Sequence, residues 1–193
     1  MLRLTLVRHA STAWNEQGRY EGWTDTPLSE QGVAQAAELG RRLEGEWFDH
    51  IITSDLHRCW DTAEIAYPAA DIIPDPSWRE MNFGAWEGLT FEECSERDGS
   101  RFRGWISHPA ACTPPGGEAF GDFSLRIDGA IKALPDEGSA LVVTHSGTIR
   151  VILARLLDLG FRKARRFAIS ACGVTQLELH PDGTHIVSVN VTR

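Results

Sequence analysis

The sequence predicts an α/β fold: a three-layer αβα sandwich on a mainly parallel, mixed sheet, built as a single domain over residues 1–193. Three observations carry this expectation. Apolar runs of strand length alternate with helical patterns in at least three strand-to-helix steps; the run Ser139–Thr144 is apolar nearly throughout, as a strand buried on both faces must be; and the C-terminal segment reads as an antiparallel hairpin.

Leu2–Val7 is the first strand. From Ser29 to about Gly45, Val33, Ala36, Ala37, Gly40 and Leu43 recur at helical spacing. His50–Thr53 repeats the strand, and Asp55 then offers an N-cap for a helix carrying Leu56, Cys59, Ala63 and Ala66. Asp71–Pro74 reads as a short edge strand, because the prolines around it limit its ladder bonds. The middle third is helix and loop: Thr90-Phe91-Glu92-Glu93 matches a capping box, and Pro114-Pro115-Gly116-Gly117 leads into a helix with Phe120, Phe123, Ile127, Ile131 and Leu134 on one face. Ser139–Thr144 feeds a helix at Thr148–Leu157 within a few residues. Gly173–His180 and His185–Val191 then flank the turn Pro181-Asp182-Gly183-Thr184. In such sheets ligands sit beyond the carboxyl ends of the strands.

Charge and composition exclude several classes. Lys and Arg total 19 against 27 Asp and Glu, a formal net charge of −8, whereas surfaces that track nucleic acid carry the opposite excess. Runs such as Ala140–Thr144 and Val151–Leu157 fall short of the roughly 18–20 residues of a membrane span. Neither nucleic acid nor membrane is expected as a partner. Met1-Leu2-Arg3 enters the first strand without a signal-like segment, so a cytoplasmic location is expected. Cys59, Cys94, Cys112 and Cys172 are scattered without a C-x-x-C pair and are expected to be reduced packing residues.

Two strands end alike. Leu4-Thr5-Leu6-Val7 runs into Arg8-His9, and Leu141-Val142-Val143-Thr144 runs into His145-Ser146-Gly147. A third ends at Thr53-Ser54, and one helical turn later Arg58 can point back to the same edge. A lone histidine after a strand is more often packed or solvated than catalytic, and Arg58 alone could pair at the surface with Glu64 or Asp61. Two histidines at equivalent strand ends beside two arginines favour a site. Together they make a positive pocket in a negative protein, suited to a dianionic phosphoryl group that guanidinium forks bind bidentately.

These residues resemble the histidine phosphatase superfamily, with its phosphoglycerate mutase-like fold. The resemblance rests on six ordered pieces: Leu6-Val7-Arg8-His9-Ala10-Ser11-Thr12 with Asn15, Asp25-Thr26-Pro27-Leu28-Ser29, Thr53–Ala63, Arg79–Gly88, Pro115-Gly116-Gly117-Glu118, and Val143–Arg150. It implies that His9 is a nucleophile forming a phosphohistidine, neutral on its attacking nitrogen and holding a backbone carbonyl through the other. Arg8, Arg58 and His145 would neutralise the phosphoryl oxygens, helped by the amide of Ser146. Glu80 matches the general acid, which requires burial near Phe83 or Trp86 to raise its pKa; its bland alternative is a surface pair with Arg79. Asn15, Glu21, Gly22 and Ser146 fall in the substrate-binding set, with a helix cap as the alternative for Asn15. No metal and no cofactor are implied.

Some positions depart from the pattern. Ala10-Ser11 stands where Gly-Glu is usual, Glu21 where Gln often precedes glycine, and Ala119 where Ser is frequent. Glu21 would repel a phosphorylated substrate or bind a hydroxyl, so these changes bear on specificity. Mutases of the superfamily are longer and carry a Tyr-Gly-x-Leu-x-Gly run, where this chain has Phe83-Gly84-Ala85-Trp86-Glu87-Gly88. The stretch Arg79–Gly88, the pair Arg58-Cys59 and His145–Arg150 with its following Leu-rich helix resemble the alpha-ribazole phosphatases most. That implies a small-molecule phosphomonoester, alpha-ribazole 5′-phosphate of cobalamin assembly, with Trp14, Trp23, Phe83, Trp86 or Trp105 stacking on its base; each Trp has core or lid packing as its alternative.

Other readings compete: a broad sugar-phosphate phosphatase, a phosphoglycerate mutase, a non-catalytic phospho-ligand binding module, and a metal-dependent hydrolase using His9, His145 and Asp25. The last lacks any H-x-H or H-E-x-x-H spacing. The basic cluster Arg162-Lys163-Ala164-Arg165-Arg166 is expected to be a solvated helix end rather than a recruiting surface. A homodimer is left open.

Overall fold

A computed structural model describes residues 1–193. In chain order the elements are β1 (Leu2–Arg8), a one-turn α1 (Ala13–Glu16), α2 (Glu30–Arg42), β2 (His50–Thr53), α3 (His57–Ala66), β3 (Ile72–Pro74), α4 (Phe91–Ser107), α5 (Phe120–Lys132), β4 (Gly138–Thr144), α6 (Ser146–Leu156), a one-turn α7 (Phe161–Ala164), β5 (Val174–His180) and β6 (Gly183–Val191). Short 3-10 turns lie at Pro76–Trp78, Gly84–Trp86 and Pro109–Ala111. The six strands form one sheet in the order β3-β2-β4-β1-β5-β6. The first four run parallel and β5 lies antiparallel to β1, so the sheet is mixed as expected.

Strand alternation sends successive side chains to opposite faces, and each face has its own core. Leu2, Leu4, Leu6, Ala140 and Val142 pack with Phe123 and Ile127 of α5 and Ile149, Ile152 and Leu153 of α6. Val7, Leu141 and Val143 pack on the other side with Ala36 and Leu39 of α2 and Cys59 and Ala63 of α3. Helices therefore cover both faces, giving three layers. A third cluster, Trp86, Cys94 and Phe102, sits apart with Tyr20, Phe83 and Trp105 around it. It lies beneath α4, whose helix is interrupted at Gly99 (φ 24°, ψ −94°).

Most boundaries agree with the sequence expectation, and the exceptions have local causes. Asp55 does not cap α3, because its carboxylate is held bidentately by Arg79 at 2.6 Å; the extended residue before the helix is Leu56, with no side-chain cap. The α6 helix starts at Ser146, directly after His145, two residues earlier than the apolar pattern indicates. The hairpin turn narrows to Pro181-Asp182 because β6 begins at Gly183. Thr12 and Asn15 close a capping box that makes α1, a turn the periodicity does not reveal.

Register builds the site. Arg8 pairs with Thr144 across β1 and β4, and the amide of His9 donates to the Thr144 carbonyl at 2.8 Å. The amide of Ser54 donates to the Val143 carbonyl at 3.0 Å. Three strand ends thus meet at one edge, bringing His9, His145 and Ser54 together.

Candidate active site

His9 and His145 face one another with ring centroids 5.1 Å apart and planes at 63°. Both are buried. Nδ1 of His9 lies 2.7 Å from the Ala10 carbonyl. A carbonyl only accepts, so Nδ1 carries the proton and Nε2 keeps its lone pair. Burial, then the charges of Arg58 and Arg8, hold the His9 imidazolium pKa well below its usual value, so the ring is neutral. His145 is fixed from both sides. Arg58 donates to its Nδ1 at 3.3 Å, which leaves Nε2–H to donate to Ser54 Oγ at 3.0 Å. Its pKa is likewise pushed well down, by burial first and then by Arg58.

The arginines carry their charge without a carboxylate partner. Arg58 is fully buried and gives Nη1 to the Thr24 carbonyl at 2.9 Å and Nη2 to the Gly22 carbonyl at 2.6 Å, not to Glu64 or Asp61. Arg8 gives Nη1 to the Ile169 carbonyl at 2.9 Å, and burial lowers its pKa. The Nε of each is buried with no hydrogen-bond partner. Unmet buried donors on cations are costly to hold, and an incoming anion is the group that would relieve them.

The loop that seats Arg58 is itself clamped. Glu87 accepts from the amides of Trp23 at 2.8 Å, Thr24 at 2.6 Å and Phe83 at 3.0 Å, and from Thr24 Oγ1 at 2.5 Å. It thereby fixes the Gly22 and Thr24 carbonyls. Glu87→Ala is expected to lower stability by about 2 kcal/mol, since three amides lose a charged acceptor, and to reduce kcat/KM through a displaced Arg58; a urea titration alongside steady-state rates checks both, and unchanged values would contradict the clamp.

Glu80 is buried, and burial raises its pKa above the usual carboxyl range despite the lowering effects of the Gly147 and Met81 amides. Gly147 N donates to Oε2 at 2.7 Å and Met81 N to Oε1 at 3.0 Å. Arg79 is not its partner, being committed to Asp55. A Cβ on Gly147 would come within 2.3 Å of Oε1, so glycine there is what admits the carboxyl. Of the two rings expected near it, Phe83 lines the same cavity, whereas Trp86 donates to Asp98 at 2.6 Å within the separate aromatic core.

A cavity of about 280 Å³ opens at this edge, and Arg8, His9, Asn15, Glu21, Glu80 and Ser146 lie on its wall. Arg58 and His145 are not on that wall: His145 packs against His9, and Arg58 bonds to His145 behind it. Gly22 does not reach the cavity; a Cβ there would strike Glu87 and the Met81 carbonyl, and its carbonyl serves Arg58. Asn15 completes the capping box begun by the N-cap Thr12 and also lines the cavity, and its Nδ2 donates to Glu21 at 2.7 Å. Glu21 also accepts from Thr12 Oγ1 at 2.9 Å and from the Thr26 hydroxyl. Of the candidate stacking rings, Phe83 and Trp105 line the cavity, whereas Trp14, Trp23 and Trp86 do not.

Metal-ligating side chains do not gather here. Asp25 accepts from the His57 amide and contacts His57 Nδ1 at 2.5 Å, so it does not join His9 and His145. One group that can hold a cation is Glu178, His180 and His185, on the terminal hairpin. Leu179 pairs with Leu2 and His185 with Glu178, which puts that group at the amino end of β1, opposite His9. All four thiols are free.

Residues 4–192 match the sequence profile described as the histidine phosphatase superfamily, branch 1. The chain belongs to that superfamily. This histidine phosphatase is 34% identical over 187 residues to the "Probable phosphoglycerate mutase GpmB" of Cronobacter sakazakii, covering 92% of this chain and 85% of that one. It is 33% identical over 163 residues to the adenosylcobalamin/alpha-ribazole phosphatase of Salmonella typhimurium, covering 82% and 81%. The crystal structure of the alpha-ribazole phosphatase from Shigella flexneri superposes with a TM-score of 0.91 at 27% identity, covering 98% of this chain and 96% of that one. The histidine phosphatase is thus a metal-independent phosphatase with a phosphoglycerate mutase-like fold.

Proposed function

We propose that this phosphatase hydrolyses small phosphomonoesters through a phosphohistidine on His9 Nε2, and that alpha-ribazole 5′-phosphate of cobalamin nucleotide-loop assembly is its substrate. The observation that carries the reading is the His9 tautomer. Nδ1 is tied to a backbone carbonyl, so Nε2 presents its lone pair beside two cations that have no anion of their own.

In this mechanism the phosphoryl oxygens rest on Arg8 and the Ser146 amide, and the buried charge of Arg58 behind the cavity wall adds to the field that stabilises the transition state. Nε2 attacks phosphorus while the P–O bond to the alcohol breaks, and Glu80, protonated, gives its proton to the leaving oxygen. The resulting Glu80 carboxylate then takes a proton from water as that water attacks phosphorus and the P–N bond breaks. Inorganic phosphate leaves, and both residues return to their starting states. The volume lies near the lower end of ligand cavities, which run from roughly 300 Å³ upward, and suits a monoester. Phe83 and Trp105 give a base two apolar faces. The names of the Salmonella and Shigella relatives support the ribazole ester as that substrate.

A phosphate-release assay with chelator present, comparing alpha-ribazole 5′-phosphate with sugar phosphates and 3-phosphoglycerate, tests the assignment. A kcat/KM preference of several orders of magnitude for the ribazole ester supports it; a flat profile retires that substrate, and no turnover of any ester leaves a binding module. The acid has its own test. Glu80→Gln should slow alkyl esters by about 100-fold or more, and p-nitrophenyl phosphate, whose leaving group needs no proton, far less. Because burial raises the Glu80 pKa, wild-type kcat/KM should fall as pH rises through that value, and the variant should lose this limb. Equal losses on both esters would remove Glu80 from the acid role.

A further inference from the structure

Beyond the phosphoryl site the cavity wall carries cations that the proposed chemistry leaves unused. Arg19 is accounted for, pairing with Glu93 at 3.0 Å. Arg150 and Arg165 are not. Arg150, on α6, gives Nε to the Phe167 carbonyl at 3.3 Å, and Arg165, just past α7, gives Nη1 to the Ile106 carbonyl at 2.5 Å. Neither has a carboxylate within ion-pair distance. Both line the same cavity as His9. Arg150 is held below its usual pKa by burial first; the charge of Glu80 acts against that, and the charge of Arg165 acts with it.

Glu80 offsets part of the Arg150 charge from a distance, but neither acid on that wall forms an ion pair with Arg150 or Arg165. Glu21 is occupied by Thr12, Asn15 and Thr26, and Glu80 is bound by the Gly147 and Met81 amides and held toward its neutral form. In a protein of net charge −8 with 27 acidic residues to draw on, two guanidiniums on one wall, both without a carboxylate partner, are placed for a ligand anion.

We infer that Arg150 and Arg165 form a second anion subsite, which selects phosphomonoesters carrying a further carboxylate or phosphate in addition to the ester that meets His9. The inference rests on the monoesterase reading and narrows it. It does not rest on the ribazole ester, whose 5′-phosphate is its one anion, and a second subsite that governs turnover would displace that assignment. It also reassigns one member of the basic cluster at Arg162–Arg166: Arg165 turns to the cavity, whereas Arg166 does not line it.

The test compares matched pairs that differ in one anion: 3-phosphoglycerate against glycerol 3-phosphate for a carboxylate, and adenosine 3′,5′-bisphosphate against adenosine 5′-monophosphate for a phosphate. Dissociation constants are read by calorimetry on a His9→Ala background, so that binding is measured without turnover, and kcat/KM is read on the otherwise unaltered chain. At least one pair should differ tenfold or more in favour of the second anion. Arg165→Gln and Arg150→Gln should each collapse that ratio toward one, while Arg166→Gln keeps it.

Three results overturn the subsite: ratios near one in both pairs, a ratio that survives both substitutions, or variants that lose affinity for all four compounds alike. The last would mean that Arg165 only ties α7 to the Ile106 carbonyl. Absence of phosphate release from any ester, with the binding ratio intact, would sink the phosphatase mechanism and leave the subsite standing.

Discussion

His9→Ala is expected to lower phosphate release by about four orders of magnitude or more on every ester, and to abolish the acid-labile phosphoenzyme trapped by rapid quenching of a radiolabelled substrate. Removing a nucleophile that acts with its partners as one unit costs nearly the whole of their joint contribution. The fold should survive, because the ring's one polar tie is to the Ala10 carbonyl, and leaving that group unmet costs about 1–3 kcal/mol. The pH dependence of stability should change with it. A buried His with a lowered pKa stays neutral in the folded state while the unfolded chain takes up its proton, so stability is lost as pH falls below about 6.5. Glu80, raised by burial, acts in the opposite sense, losing stability as pH rises from the usual carboxyl range. His9 and His145 both contribute to the acid-side loss. The variant should therefore unfold with a shallower decline of Tm below pH 6.5, and an unchanged decline would show that His9 is protonated in the native state.

Arg58→Ala should damage activity and fold together. The side chain satisfies the Gly22 and Thr24 carbonyls and the His145 Nδ1, all inside the protein. Leaving such groups unpaired costs about 1–3 kcal/mol for each one that water cannot reach, so a loss of roughly 3–5 kcal/mol is expected in a chemical denaturation series. The kcat/KM loss should be about 1,000-fold or more, as for other preorganised groups that stabilise transition-state charge. Arg58→Lys separates the two effects. One ammonium keeps the positive charge but cannot reproduce the fork that reaches two carbonyls and a ring nitrogen, so the lysine variant should recover only part of the stability and little of the rate. Full recovery by lysine would mean that charge alone matters at this position.

The repeated strand-to-helix pattern made the sheet, its hairpin and both histidine-bearing strand ends legible in the sequence, because burial on two faces leaves long apolar runs in β1 and β4. The resemblance then supplied Glu80, which composition and spacing alone would have left as a surface carboxylate beside Arg79. Less legible were contacts made by long side chains from distant loops. Asp55 has every local property of an N-cap, yet Arg79, far along the chain, claims it. Gly22 reads as a ligand contact because it follows Glu21 where the family often has Gln before glycine, while its carbonyl holds Arg58. Glu87 lies inside the stretch Arg79–Gly88 without a role attached to it, and Arg165 lies in a basic cluster, since a charged residue in a loop or at a helix end is solvated by default. Only the fold reveals which way such a side chain turns.

The pairing of Arg8 with Thr144 has a consequence for how the protein becomes active as it folds. His9 belongs to the first strand and His145 follows the fourth, so no partly folded chain in which β4 is still undocked contains the paired imidazoles, however much of its N-terminal half is formed. A slip of one residue between these strands would turn the adjoining side chains to the opposite face. Long-range strand docking is slow compared with helix formation. During refolding, recovery of helical circular dichroism should accordingly precede recovery of turnover, and turnover should appear together with protection of the β1 amides from exchange.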